Sequence, residues 1–118
     1  AALAATDTAR VTVSARNPGA RALTFGAAGS SCWLDFEIAD AAGQPVESRV
    51  ACTRDLPTIT LRAGESTTRT YAWTGDARGT GRRLSAGTYR LTAIARVVGR
   101  SGLGTDQVRG ASVTVQLR

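Results

Sequence analysis

The sequence predicts an all-β fold: a two-layer sandwich of about eight short antiparallel strands joined by turns. Three observations predict it. Apolar and polar residues alternate with period two over most of the chain, the pattern of strands with one buried face. No stretch of about eleven residues carries a helical apolar stripe. Turns rich in Gly, Pro, Asn and Asp recur at short intervals between the alternating runs.

Residues 9–16 form the first expected strand, with Val11, Val13 and Ala15 on one face and Arg10, Thr12, Ser14 and Arg16 on the other. Asn17, Pro18 and Gly19 turn the chain, and a short strand carries Leu23 and Phe25 inward before a loop at residues 26–31. In the clearest strand, 32–38, Cys32, Leu34, Phe36 and Ile38 face the core, while Trp33, Asp35 and Glu37 share the other face. A turn at 40–45 leads to an expected strand at 46–52. A run at 58–61 and a turn at 62–65 precede a strand at 66–73, whose Tyr71 and Trp73 anchor the core.

Residues 75–86, with Gly75, Gly79 and Gly81 among basic side chains, read as an exposed, mobile loop. A long strand opens at Gly87 and alternates Tyr89, Leu91, Ala93, Ala95 and Val97 against Arg90, Thr92, Ile94 and Arg96. Residues 99–106 turn again, and the last strand sets Val113, Val115 and Leu117 against Ser112, Thr114, Gln116 and Arg118. Short strands without crossover helices favour an immunoglobulin-like antiparallel sandwich, with a small closed barrel as the alternative. Tyr89 has two readings: a tyrosine corner, whose hydroxyl ties its strand to the preceding loop, or an ordinary half-buried strand tyrosine.

A length of 118 residues fits one domain, expected at 9–118 behind an extended segment at 1–8. Hydrophobic residues at 42% and charged residues at 20% are globular proportions. No apolar run approaches the roughly 20 residues of a membrane-spanning helix. Small residues dominate positions 1–5, as in a chain trimmed by signal peptidase. Cys32 and Cys52 are an even count outside any CxxC spacing, which predicts one disulfide between them. Such a bridge contributes about 3 kcal/mol by the chain-entropy argument. Together these place the chain outside the cell, at its surface or in the periplasm.

The net charge is +6, and all 15 basic residues are Arg. That uniformity reads first as a bias toward GC-rich codons and second as a use of guanidinium chemistry. Arg-rich surfaces attract polyanions, but these arginines are dispersed. Nucleic acid is therefore disfavoured, and an acidic glycan stays open. Arg10, Arg16, Arg90, Arg96 and Arg118 would form one outward row if the first and last strands were neighbours.

Seven landmarks in order resemble the BsuPI-type proteinase-inhibitor family, an immunoglobulin-like domain first named for an intracellular inhibitor. They are Asn17; Leu23 and Phe25; Trp33 through Phe36; Asp40 through Gly43; Leu61 through Ser66; Trp73; and Gly87 through Tyr89. The resemblance covers about residues 11–95 and implies the same sandwich and, more distantly, protease inhibition. The chain departs from the family pattern after the Asp40 turn, where Val46 to Val50 and Cys52 replace a tryptophan-containing segment.

Catalysis is not expected. The chain has no His, which removes the commonest general base and the Ser-His and Cys-His nucleophile pairs. Asp35 and Glu37 share a strand face and read as a solvated face, not as paired catalytic carboxylates. Neither Asp40 nor Asp76 has the spacing of a calcium loop, and the glycines form no phosphate motif because there is no Lys. No metal or cofactor is expected. The leading expectation is a binding module with a protein partner. One rival is a self-assembling subunit that adds its N-terminal segment to a neighbour, with Leu3, Val11 and Val13 as contacts. The other is a proteinase inhibitor acting through residues 75–86, with Arg78, Arg82 and Arg83 as the binding loop.

Overall fold

A computed structural model describes residues 2–29, 31–54, 56–98 and 105–118, and among them the chain is all-β with no helix. Ten strands follow in chain order: β1 Ala2–Leu3, β2 Ala9–Arg16, β3 Leu23–Gly29, β4 Leu34–Ala39, β5 Leu56–Leu61, β6 Ser66–Trp73, β7 Asp76–Ala77, β8 Arg82–Arg83, β9 Gly87–Val98 and β10 Thr105–Leu117. One layer of the sandwich is a four-stranded sheet in the order β1-β10-β9-β4. The other is a ribbon of β2 and β6, continued past a corner by β3 and β5. The small hairpin of β7 and β8 closes the set. All pairings are antiparallel except that β1 joins β10 in parallel.

Ten strands stand where about eight were expected, because β1, β7 and β8, of two residues each, are too short to leave a period-two signal, while one expected strand, at 46–52, is absent from the described residues. The expected turn at 99–106 lies mostly outside the described residues, and Thr105 already belongs to β10.

Asn17 holds the corner of the ribbon. Its backbone donates to Glu65 O at 2.9 Å and accepts from Gly64 N at 2.8 Å. Its side chain is buried: Nδ2 donates to Arg21 O at 2.7 Å and Leu61 O at 3.0 Å, and Oδ1 accepts from Gly19 N at 3.0 Å. A buried amide with every polar atom satisfied fixes both bends at once.

The core between the layers is built from Val13, Leu34, Phe36, Ile38, Trp73, Leu91, Val115 and Leu117. Phe36 meets Tyr71 edge-on at 5.6 Å and Trp73 at 6.5 Å. Tyr89 is a tyrosine corner: its hydroxyl donates to Ser85 O at 2.8 Å, tying β9 to the chain before it. Leu23, expected inward, is 51% exposed, whereas Leu61, its cross-strand partner on the same face, is buried.

The strand expected at 46–52 does not form; only an isolated bridge joins Pro45 to Ala39. Glu47, Ser48 and Arg49 are exposed in succession, so no alternating face exists to pack. The segment is instead pinned by separate contacts. Val46 N donates to Ile38 O at 2.8 Å, Arg49 N donates to Arg78 O at 2.6 Å, and Ser31 N donates to Thr53 O at 2.8 Å. The Cys32–Cys52 disulfide, with Cα atoms 5.6 Å apart, is the covalent pin. Replacing both cysteines with serine is expected to cost about 3 kcal/mol, read as a lower urea midpoint.

Gly79 lets this segment lie flat. Its φ is +77°, and a Cβ there would stand 1.7 Å from Arg49 O. Gly79→Ala is therefore expected to cost at least about 1 kcal/mol from backbone strain alone. It should also push residues 46–54 outward, read as faster tryptic cleavage after Arg49 and Arg54.

Candidate functional site

A sandwich offers partners its unpaired strand edges and its uncovered apolar faces. The four-stranded sheet has two ends, and they differ. At the β4 end the outward carbonyls all have partners. Tyr71 Oη donates to Leu34 O at 2.6 Å, Arg78 Nη1 donates to Phe36 O at 3.2 Å, and Val46 N donates to Ile38 O at 2.8 Å. This edge is closed to further pairing.

The closure depends on a buried charge pair that the sequence reading placed in solvent. Asp35 is buried, not outward, and its Oδ1 lies 2.8 Å from Arg78 Nη1 while accepting from Phe36 N at 2.8 Å. Arg96 approaches the other oxygen at 3.7 Å and donates to Cys32 O at 3.3 Å. The Arg78 guanidinium also lies 4.0 Å from the Phe36 ring centroid and 4.9 Å from that of Tyr71. Burial, and then the Asp35 carboxylate, push the Tyr71 phenol above its ordinary value, which keeps the hydroxyl a donor. The second face of β4 and β9 is thus covered at its Trp33 end: Trp33 and Ile94 are buried there too, and Phe25 meets Trp33 edge-on at 5.5 Å.

This corrects the reading of residues 75–86 as an exposed loop. They fold into the β7–β8 hairpin, with Ala77, Arg78 and Leu84 buried. Arg78 is consumed by Asp35 and is not offered to a partner. Arg83 is half-buried; its Nη1 donates to Thr74 O and, at 3.4 Å, to Ala5 O, while its Nη2 is buried without a partner. Arg82 alone of the three is exposed.

At the opposite end of the sheet the edge is open. β10 is 13 residues long, yet β1 covers only its last two, with Ala2 beside Gln116 and Leu3 beside Leu117. Residues 105–115 have no neighbour on that side among the described residues. A bulge between Arg109 and Ser112 shifts the register with β9. Val108 pairs with Ala95, and Val113 pairs with Leu91. Ala95 and Leu91 are an even number of residues apart on an unbulged β9, so both valines face the sandwich interior. They are nevertheless 57% and 58% exposed.

The reason is the narrowness of the facing layer. β2 pairs only with β6, so the ribbon ends before it covers β10. Between the two lie adjoining hollows of about 280 and 370 Å³ that share Val11, Thr12, Leu91 and Val113. Val13 and Phe36 line one, and Leu3, Trp73 and Val115 line the other. The site is an apolar groove with an unpaired strand edge along β10.

No protein-family model matches the chain, and no curated protein matches its sequence.

Among the residues expected to drive assembly, Leu3 and Val13 are buried in the chain's own core and Val11 is half-buried against the groove. The N-terminal segment is thus paired in cis as β1, not free for a neighbour. The row of arginines is split. Arg10 and Arg16 lie on β2 in one layer, while Arg90 and Arg96 lie on β9 in the other. No cluster of metal-ligating side chains occurs among the described residues, and no helix is long and apolar enough to cross a membrane. What the sequence missed was the groove, because alternation reports which face of β10 turns inward but not whether anything covers it.

Proposed function

We propose that this chain is a non-catalytic protein-interaction module of the cell surface, periplasm or extracellular space that binds another polypeptide by strand addition along β10. The observation that carries this reading is an open edge beside an uncovered apolar face, with Val108 and Val113 more than half exposed. Strand addition takes its affinity from main-chain hydrogen bonds and its selectivity from alternate side-chain pockets. The closed β4 edge supports the assignment to β10, because it leaves one long edge of this sheet available. The Cys32–Cys52 bridge supports an oxidising compartment. The order of motifs from Asn17 to Tyr89 supports a BsuPI-type ancestry, although the inhibitor reading retains only Arg82 as an exposed cation of the hairpin.

Panning a display library of random linear peptides against the folded domain tests this reading. Enriched peptides should adopt extended conformations and lose binding to Val113→Glu. If β1 is exchanged between copies instead, the same edge is filled by self-association, and sedimentation should show a dimer that disappears when residues 1–8 are removed. Enrichment that is indifferent to Val113→Glu sinks strand addition at β10.

A further inference from the structure

We infer that the strand received by β10 is acidic: an extended segment in which apolar residues alternate with Asp or Glu. This rests on the strand-addition reading and names the partner's chemistry. The alternation follows from the edge. A strand laid along residues 107–115 would turn every second side chain toward the inner face, over Val108 at one end and onto Val113 and Val11 in the largely apolar groove at the other. The intervening side chains would turn to the opposite face of the sheet, the face that carries Arg90, Ser112 and Thr114.

Charge decides what those intervening residues are. Every carboxylate whose side chain is described already has an intramolecular partner, as an ion pair or as a cap on a backbone or hydroxyl group. Arg109 on β10 is the partner of Glu37, but two other cations near the edge are unpaired. Arg90 sits beside Thr114, and Arg118 follows directly after β10; neither has a side-chain partner among the described residues. One face beside the edge therefore carries uncompensated positive charge, and the other is apolar. Self-pairing of two β10 edges would join chains that each carry +6, a like-charge association that disfavours that occupant.

Two fluorescein-labelled synthetic peptides of about eight residues, within ordinary strand length, test the inference: one alternating Val or Thr with Glu, the other with Lys in place of Glu. The expected result is saturable binding of the Glu peptide, at least about tenfold tighter than the Lys peptide, and weaker with added salt. Hydrogen exchange should slow at backbone amides within 107–115. Val113→Glu and Arg90→Glu should each weaken the Glu peptide about tenfold or more while leaving the urea midpoint unchanged, since both side chains are exposed. Equal binding of the two peptides, abolished by Val113→Glu, overturns the acidic preference but leaves strand addition standing. Binding of neither peptide, together with library hits that ignore Val113→Glu, overturns both. A β10-dependent dimer without peptide makes a second copy the occupant and overturns the inference.

Discussion

Asp35→Ala is expected to lower the unfolding free energy by about 3–5 kcal/mol, because it strands the Arg78 guanidinium in the interior without its counter-charge. Both side chains are nearly inaccessible, at 5% and 10%. The pair is deeply desolvated and its loss is not cushioned by water. The same substitution removes the acceptor for Phe36 N, and Arg96, which is 38% exposed, can relax into solvent. Because most of the cost comes from an orphaned charge, Asp35→Leu combined with Arg78→Leu should cost less than Asp35→Ala alone. Guanidinium melts of the two single variants and the double variant give this comparison directly. A double variant as unstable as the sum of the singles would mean that the pair contributes through its hydrogen bonds to β4 and not through charge.

Trp73→Ala is expected to cost a similar amount, about 3–5 kcal/mol, for a different reason. Trp73 is 1% exposed and is the largest fully buried side chain among the described residues. It stands where β6 pairs with the start of β2, at Ala9, and against Phe36 of the other layer. Its Nε1 donates to Asp76 O at 2.9 Å, so truncation would leave both a cavity and an unpaired carbonyl at the start of the hairpin. A domain of ordinary stability, about 5–15 kcal/mol, has little reserve against that loss. Trp73→Phe keeps most of the volume and should retain more than half of the lost stability in the same urea titration.

The strands with a clean two-sided contrast were legible in the sequence. β2 begins and ends where alternation of valine with arginine and threonine placed it, and β6 follows likewise from its turn to Trp73. The disulfide was legible as well, from an even cysteine count outside any CxxC spacing. The failures share a cause. Asp35 and Arg78 are 43 positions apart, and each is polar, so period alone sends both to solvent; only their pairing makes burial tolerable, and pairing is a tertiary fact. The segment 46–52 looked like a strand because Val46, Val50 and Cys52 follow a turn at even spacing, whereas its attachment comes from a bridge, a glycine without a Cβ and scattered backbone contacts. The groove was invisible because it arises from a layer that is too narrow, not from any residue.

The parallel pairing of Ala2 and Leu3 with Gln116 and Leu117, reinforced by donation from Arg118 N to Leu3 O at 3.0 Å, has a mechanical consequence. Parallel strands pulled by their far ends slide past each other, so tension between residues 2 and 118 loads this clasp in shear, all bonds together, before it reaches the long β9–β10 ladder. With so few bonds the clasp yields first, as a small early step in an optical-trap trace. Its release would withdraw Leu3 from the core and extend the open edge of β10 to its last residue, so a stretched molecule would present a longer unpaired strand than a relaxed one.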